Sequence, residues 1–277
     1  MRKELKNKRE KNTHATSNTF IAQVILVHQD DGKSIWADER MVCFMWRRLT
    51  IVIGCLFILQ GCALDSEREP NNQQKESGKG MNELLIQAVA RKETERIRSL
   101  IEEGADINTQ DPTGRTATMI ATYNNDAESA KILIEAGADV NIQDEMKNSP
   151  FLYACAEGYL DIVKLTIEAG ADPSITNRYG GTALIPASEH GYVEIIKELL
   201  TKTDIDVNHV NDLGWTALLE AIILNDGDGK QQRTVQLLID HGAGVNIPDN
   251  NNVTPLQHAR EKGFKEIEQI LLTAGAK

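Results

Sequence analysis

The sequence contains few cysteines and few aromatic residues. Four cysteines are spread over 277 residues, and aromatic side chains make up 5% of the chain. Only one of the cysteines, Cys155, lies beyond residue 62. Cysteines this sparse provide no disulfide framework, so the stability of the fold must come from packing.

An excess of basic residues is also missing. The chain has 30 Lys and Arg residues against 41 Asp and Glu residues, which gives a formal net charge of −11. From Cys62 to Lys277 the counts are 20 and 35, so this part carries −15. Nucleic-acid binding requires a basic face against the phosphate backbone. The composition therefore argues against a nucleic-acid partner and favours basic protein partners.

The apolar stretch Leu49–Leu59 has eleven residues, whereas a membrane-spanning helix needs roughly 20. Its length suits the apolar region of an export signal instead. Arg47 and Arg48 precede it, and the stretch runs into Leu59-Gln60-Gly61-Cys62. This arrangement resembles the signal of bacterial lipoproteins, although it begins more than forty residues into the chain.

Two interpretations explain the internal position of this signal. In the first, translation begins at Met45 or Met41, residues 1–44 are a non-native N-terminal extension, and residues 45–61 are a signal peptide. In the second, Met1 is the true start, residues 1–60 are retained, and the apolar stretch is a short anchor or a core helix. We favour the first, because residues 1–44 show no lasting hydrophobic periodicity.

The lipoprotein resemblance centres on Cys62, with Leu59 at −3 and Gly61 at −1, while Gln60 replaces the small residue usual at −2. It implies a lipid attached to the Cys62 sulfur and an acylated amine. Several acyl chains would anchor the protein stably on the extracytoplasmic side of the cell membrane, on the outer membrane or its periplasmic face where the bacterium has two membranes. The alternative is a buried structural cysteine at the end of a short helix. Residues 62–80 are polar and predict a disordered tether.

The rest of the chain repeats with a period of 33 residues. The triplet Gly-Ala-Asp occurs at Gly104, Gly137 and Gly170. A small hydroxyl residue recurs near the same period, at Thr116, Ser149, Thr182, Thr216 and Thr254. The units around it begin DPTGRTATMIA at Asp111, DEMKNSPFLYA at Asp144, NRYGGTALIPA at Asn177, NDLGWTALLEA at Asn211 and DNNNVTPLQHA at Asp249.

These units resemble the ankyrin repeat family from about Met81 to Lys277. The resemblance implies an all-α solenoid of about six stacked helix-turn-helix units, with β-hairpin fingers between them and capping units at both ends. In each unit, Asp or Asn predicts a tight turn, and the hydroxyl residue predicts a helix N-cap. Two irregularities occur: one inserted residue at Thr203–Asp206, and five around Asn225–Lys230, between the two helices of the fifth unit.

The repeat region offers no constellation of catalytic residues, and we predict no enzyme activity, cofactor or metal site. Its four histidines, His190, His209, His241 and His258, are scattered over the units. For His190 and His241 we expect hydrogen bonds at helix ends, and for Cys155 a place in the core. Asp226 and Asp228 lack the later glutamate of a calcium loop, so we expect a solvated loop there.

Ankyrin-like proteins bind partners through finger tips and the exposed face of the first helices. The residues at those positions are Arg115, Tyr123, Met146, Arg178, Tyr179, Glu189, His190, Leu213 and Trp215. Three of them, Tyr179, Leu213 and Trp215, are large and lie on adjacent fingers, where they would either contact a partner or pack against the neighbouring finger.

The sequence therefore predicts a lipid-anchored, monomeric module that binds a partner protein and the membrane. Two alternatives stay open. One is a structural spacer or scaffold at the membrane, and the other is a cytosolic ankyrin adaptor that keeps residues 1–60. The identity of the partner does not follow from the fold.

Overall fold

The structure, a computed structural model, describes residues 73–277, with side chains from residue 80 onward. This part of the chain forms twelve α-helices in six antiparallel pairs. In chain order they are α1 (Gln73–Ala90), α2 (Thr94–Glu102), α3 (Ala117–Tyr123), α4 (Ala127–Glu135), α5 (Pro150–Glu157), α6 (Leu160–Glu168), α7 (Leu184–His190), α8 (Val193–Lys202), α9 (Ala217–Ile223), α10 (Gly229–Asp240), α11 (Pro255–Lys262) and α12 (Lys265–Thr273).

Each first helix packs against the first helices of the neighbouring units, and each second helix packs against the neighbouring second helices. A small residue in the first helix allows this close approach. Five alanines at this position, Ala121, Ala154, Ala187, Ala221 and Ala259, are fully buried. Together with larger aliphatic side chains from both helix layers they form one continuous core. The predicted all-α solenoid of six units is confirmed.

Hydroxyl side chains begin most of the first helices, as predicted. Thr116 accepts a hydrogen bond from the Met119 amide at 3.1 Å, and Thr254 forms a reciprocal capping box with Gln257. Thr182 differs, because its hydroxyl has no hydrogen-bond partner in the described chain and α7 begins only at Leu184. Pro186 lacks an N–H, so the first turn is closed by the Ile185 amide, which donates to the Thr182 carbonyl at 3.2 Å.

The fingers are tighter than the predicted β-hairpins. Within residues 73–277 the only β-bridge pairs Gln110 with Thr116, and no strand is formed. Each finger is instead a turn around its first Asp or Asn. In the third unit, Asp144 Oδ1 accepts hydrogen bonds from the amides of Met146 and Asn148, both at 2.9 Å. These side-chain bonds take the donors that a strand ladder would use.

Two boundaries differ from the sequence prediction. Helix α1 begins at Gln73, so residues 73–80 of the predicted tether are helical. The residues there include Gln, Lys and Glu, which favour helices. In the fifth unit the inserted loop ends at Asp228, which caps α10 by accepting from the Lys230 and Gln231 amides at 2.9 Å. The insertion therefore lies between α9 and α10, as predicted, but its last residues are already helical.

Candidate interaction surface

The fingers of neighbouring units are joined by hydrogen bonds. The Glu145 amide donates to the Thr113 carbonyl at 3.2 Å, and the Asp212 amide donates to the Tyr179 carbonyl at 3.0 Å. The side chain of Asn250 continues the series by donating to the Leu213 carbonyl at 3.0 Å. The third and fourth fingers are joined by the contact between Arg178 Nη1 and the Met146 sulfur, so the finger tips of five units form a continuous strip rather than independent loops.

Three of the predicted binding residues meet at a cavity between the second and third units. Arg115, Tyr123 and Met146 line a space of about 270 Å³. The remaining lining residues are Thr113, Asp144 and Glu145. Two fingers and the end of α3 contribute to this cavity, so residues separated by about one repeat length face the same space.

The polar groups of this cavity are held in place by hydrogen bonds. Arg115 Nη2 lies 2.6 Å from Asp111 Oδ2. Burial alone would raise the pKa of Asp111, but hydrogen bonds from Arg115 and Thr113 outweigh it and lower that pKa to about 2. The Tyr123 hydroxyl donates to Asp144 Oδ2 at 2.6 Å. Burial and this acceptor raise the pKa of Tyr123 well above its usual range, so the phenol remains a donor.

Met146, Arg178 and Tyr179 extend the strip toward the fourth unit. The Met146 side chain is 42% exposed, and Arg178 Nη1 lies 3.6 Å from its sulfur. The Arg178 guanidinium also lies 5.0 Å from the centroid of the Tyr179 ring, within the range of a cation–π contact. These three side chains therefore form one row on adjacent fingers.

Leu213 and Trp215 are partly buried on the fifth finger. Their amides both donate to Asn211 Oδ1 at 3.0 Å, which fixes the turn that carries them. The Tyr179 carbonyl is joined to the same finger through Asp212. Whether Tyr179, Leu213 and Trp215 contact a partner stays a prediction.

Glu189 and His190 lie at the end of α7, next to the insertion rather than on the fingers. The Glu189 carbonyl accepts from Asn225 Nδ2 at 2.8 Å and from Gln231 Nε2 at 3.1 Å. Burial raises the pKa of the Glu189 carboxyl to about 7. The His190 ring packs on Tyr192, with centroids 5.2 Å apart, and burial followed by the charge of Lys230 lowers its pKa.

Comparison with known proteins identifies the repeat. A family model described as ankyrin repeats (3 copies) matches residues 54–144, 85–177, 151–231 and 208–277. The chain belongs to the ankyrin repeat family. Proteins of this family are generally interaction modules rather than enzymes.

Individual relatives agree with this assignment. The crystal structure of an ankyrin repeat domain from Acinetobacter baumannii AYE is 51% identical, with a TM-score of 0.68, and the match covers 70% of this chain and 98% of that one. The ankyrin repeat protein EF0377 is 37% identical, with a TM-score of 0.67, over 71% of this chain and 98% of that one.

A curated relative, the YahD protein of Escherichia coli (strain K12), is named for its ankyrin repeats. It is 59% identical over 80 residues, which are 29% of this chain. The match spans 40% of the length of that relative.

The ankyrin array also carries a row of tyrosines, of which only Tyr123 was predicted as a binding residue. The rings of Tyr123 and Tyr153 lie 4.3 Å apart, and those of Tyr153 and Tyr159 lie 6.3 Å apart. Tyr192 occupies the repeat position of Tyr159, one 33-residue period later, at the start of α8. That spacing could have indicated the row, whereas the contact between Tyr123 and Tyr153 depends on how adjacent first helices pack.

The remaining reactive residues have structural roles. Cys155 is fully buried, as predicted, and burial raises the pKa of its thiol. His241 Nδ1 lies 2.8 Å from the Leu237 carbonyl at the end of α10, which confirms the predicted helix-end contact. Over residues 73–277, no group of three or more His, Cys, Asp or Glu side chains could hold a metal ion. Cys62, the signal 45–61 and the extension 1–44 lie outside the described residues.

Proposed function

We propose that this protein is a lipid-anchored ankyrin module that binds a partner protein through its concave face. The observation that carries the proposal is the convergence of Arg115, Tyr123 and Met146 on one cavity. Arginine, tyrosine and methionine are enriched at protein interfaces. Met146 is also one of only five large apolar side chains found exposed in the part of the chain that the structure describes.

The proposed attachment is through Cys62, on the extracytoplasmic side of the cell membrane. It rests on the lipoprotein-like segment Arg47–Cys62. No helix within residues 73–277 is long and apolar enough to span a bilayer. Lipid chains on Cys62 would supply the attachment, and the ankyrin array would supply the binding surface.

The binding face is tested by site-specific cross-linking from residue 146 in cells, followed by recovery of the full chain from solubilised membranes. We expect one protein to cross-link reproducibly, and Met146→Glu to abolish its co-purification. Leu272→Glu is the matched control, because Leu272 is 40% exposed but lies on the second helix of the last unit.

If both substitutions reduce recovery equally, the cavity is not the binding face. If no protein is recovered with any variant, the interpretation as a structural spacer replaces the proposed function.

A further inference from the structure

Three tyrosines and two glutamates lie on the first helices, and on the turns that follow them, in the third and fourth units. We call this group the tyrosine–glutamate patch, and its members are Tyr153, Glu157, Tyr159, Glu189 and Tyr192. The Tyr192 ring lies directly over Gly158, since a Cβ on that glycine would be 2.8 Å from Tyr192 Cζ. The Tyr153 and Tyr159 rings lie 6.3 Å apart, and all five residues are only partly buried.

Glu157 follows Tyr153 by one helical turn and precedes Tyr159 by two residues, and Glu189 precedes Tyr192 by three residues. Burial, followed by the charge of Glu157, raises the pKa of Tyr153 to about 12. Glu157 also raises the pKa of Tyr159 and of Tyr192 in addition to burial, and Glu189 acts on Tyr192 in the same direction. Glu157 thus lies within electrostatic range of all three tyrosines, and Glu189 within range of one.

Within the described residues, these carboxylates form no ion pair. None of the ion pairs there includes Glu157 or Glu189. Burial raises the pKa of both groups, as expected for carboxylates that lose water without gaining a cation. Packing between repeats does not require these charges, because an uncompensated, partly buried carboxylate costs free energy that an apolar side chain would not.

One cation of the chain already contacts this surface. Lys230 Nζ lies 5.4 Å from the centroid of the Tyr192 ring. Lys230 is exposed and belongs to the first turn of α10, next to the inserted loop. Aromatic faces attract ammonium and guanidinium groups at such distances, and neighbouring carboxylates strengthen the attraction.

We propose that the tyrosine–glutamate patch is a docking surface for a lysine- or arginine-bearing segment of a partner protein. Cationic side chains of the partner lie against the tyrosine rings and neutralise Glu157 and Glu189. The proposal rests on the proposed function, to which it adds the chemistry of the partner. The charge of the repeat region is complementary, since residues 81–277 contain 17 Lys and Arg against 31 Asp and Glu.

The test measures the affinity of the full chain, in detergent, for a fluorescent peptide in which lysine and arginine alternate with glycine and serine. Fluorescence anisotropy is recorded at about 150 mM NaCl, where long-range attraction is screened. We expect the double substitution Glu157→Gln and Glu189→Gln to raise the Kd at least about tenfold. Glutamine preserves the shape of both side chains and removes only their charge, so the fold is expected to persist.

The matched control is the double substitution Glu168→Gln and Glu194→Gln. Both residues are exposed on second helices of the same two units, and the change in net charge is the same. We expect this control to alter the Kd less than about twofold. If the two double variants weaken binding equally, the peptide responds to net charge alone and the patch assignment is wrong. A peptide with norleucine at the cationic positions should not bind, and equal affinity for it would also overturn the proposal.

This inference can fail separately from the proposed function. If the protein cross-linked at residue 146 is still recovered with Glu157→Gln and Glu189→Gln, at unchanged yield, the partner binds without the patch. That result would overturn the inference and leave the proposed function standing. If the patch variant loses the partner while Glu168→Gln and Glu194→Gln retains it, the inference is supported in cells.

Discussion

Asn211 Nδ2 donates a 3.0 Å hydrogen bond to Glu220 Oε1, and this bond joins the fifth finger to the first helix of its own unit. The side-chain oxygen Oδ1 of Asn211 already accepts hydrogen bonds from the Leu213 and Trp215 amides in the finger turn. The sixth unit has an equivalent contact between its finger and its first helix, formed by different side chains. Asp249 Oδ2 lies 3.0 Å from His258 Nε2. The finger residue is thus an amide where its partner is a carboxyl group, and a carboxylate where its partner is an imidazole.

The environment of Glu220 predicts that the stability of the fold depends on pH. Glu220 is 5% exposed, and burial, followed by the nearby charge of Glu189, raises its pKa from 4.5 to about 8. Between pH 4.5 and about pH 8 the folded protein therefore binds more protons than the unfolded chain. Stability is fully present below the unfolded pKa and falls as pH rises through the folded pKa. Glu220→Gln should raise the free energy of unfolding at pH 9 by on the order of 2 kcal/mol and flatten its decline from pH 5 to 8.

Urea unfolding at several pH values measures this effect. Glu168→Gln, an exposed change of equal charge, serves as the control. A Glu220→Gln protein that loses stability at pH 9 would show that the carboxylate is stabilised by its surroundings and that the expected sign is wrong.

Gly158 and Gly263 provide a matched pair for the tyrosine row. Both end a first helix in the left-handed conformation, with φ of +82° and +72°. A Cβ at Gly158 would collide with the Tyr192 ring, whereas a Cβ at Gly263 would meet no atom within 4 Å. Gly263→Ala should cost about 1 kcal/mol from backbone strain alone. Gly158→Ala should cost at least about 1 kcal/mol more, because the ring must move.

Thermal and urea unfolding of the two variants give the difference directly. Adding Tyr192→Ala to Gly158→Ala should remove the extra cost. Equal costs for the two glycine variants would mean that the ring shifts freely and does not lie fixed between the units.

Substitution of Trp215 and Tyr179 tests whether the fingers of the fourth and fifth units contact the partner. If they contact the partner, Trp215→Ala combined with Tyr179→Ala should weaken binding by about 2 kcal/mol or more. The melting temperature should change little, because stability in a repeat array is distributed over the interfaces between units. Leu224→Ala combined with Leu272→Ala is the control, since these residues are 38% and 40% exposed and lie off the fingers. A collapse of the melting temperature with unchanged partner recovery would mean that the aromatic residues hold neighbouring fingers together.

Substitution of Cys62 tests the proposed lipid anchor. Cys62→Ser should abolish metabolic incorporation of labelled fatty acid and leave the precursor unprocessed, because the thioether requires the cysteine sulfur. Cys55→Ser is the control, since Val52-Ile53-Gly54-Cys55 is a second short apolar sequence that ends in Gly-Cys. Intact-mass measurement of the native protein checks the processing site and the translation start together. Continued labelling of Cys62→Ser would exclude Cys62 as the lipidated residue.

The start of the array is tested by two fragments, 73–277 and 81–277. The fully buried residues of α1, among them Leu85 and Val89, lie in both. We therefore expect both fragments to be helical monomers that unfold cooperatively, with melting temperatures within a few degrees of each other. Light scattering and circular dichroism measure mass and unfolding. Aggregation of the shorter fragment alone would show that residues 73–80 are required for the first unit.

The repeat and its local elements follow from the amino-acid sequence alone. A period of 33 residues, with an Asp or Asn turn residue, a hydroxyl cap and a small alanine in register, specifies stacked helix pairs, because each signal acts within a few residues of the backbone it shapes. For the same reason the six units, the buried Cys155 and the placement of the insertion between α9 and α10 were predictable. Thr182 departed from the pattern because Pro186 altered the hydrogen bonding of its turn.

Which distant side chains meet depends on the tertiary structure. The convergence of Arg115, Tyr123 and Met146 on one cavity depends on residues from neighbouring units, and so does the contact between Tyr123 and Tyr153. In the repeat pattern Asp and Asn are equivalent turn residues, since either side chain can accept hydrogen bonds from the same backbone amides. In the fifth unit the second polar atom of this side chain, Asn211 Nδ2, bonds to Glu220 on the first helix of the same unit. Contacts between units depend on the distance and rotation between stacked units, and the Asn211–Glu220 bond depends on how a finger folds onto the first helix of its own unit. No local pattern specifies either.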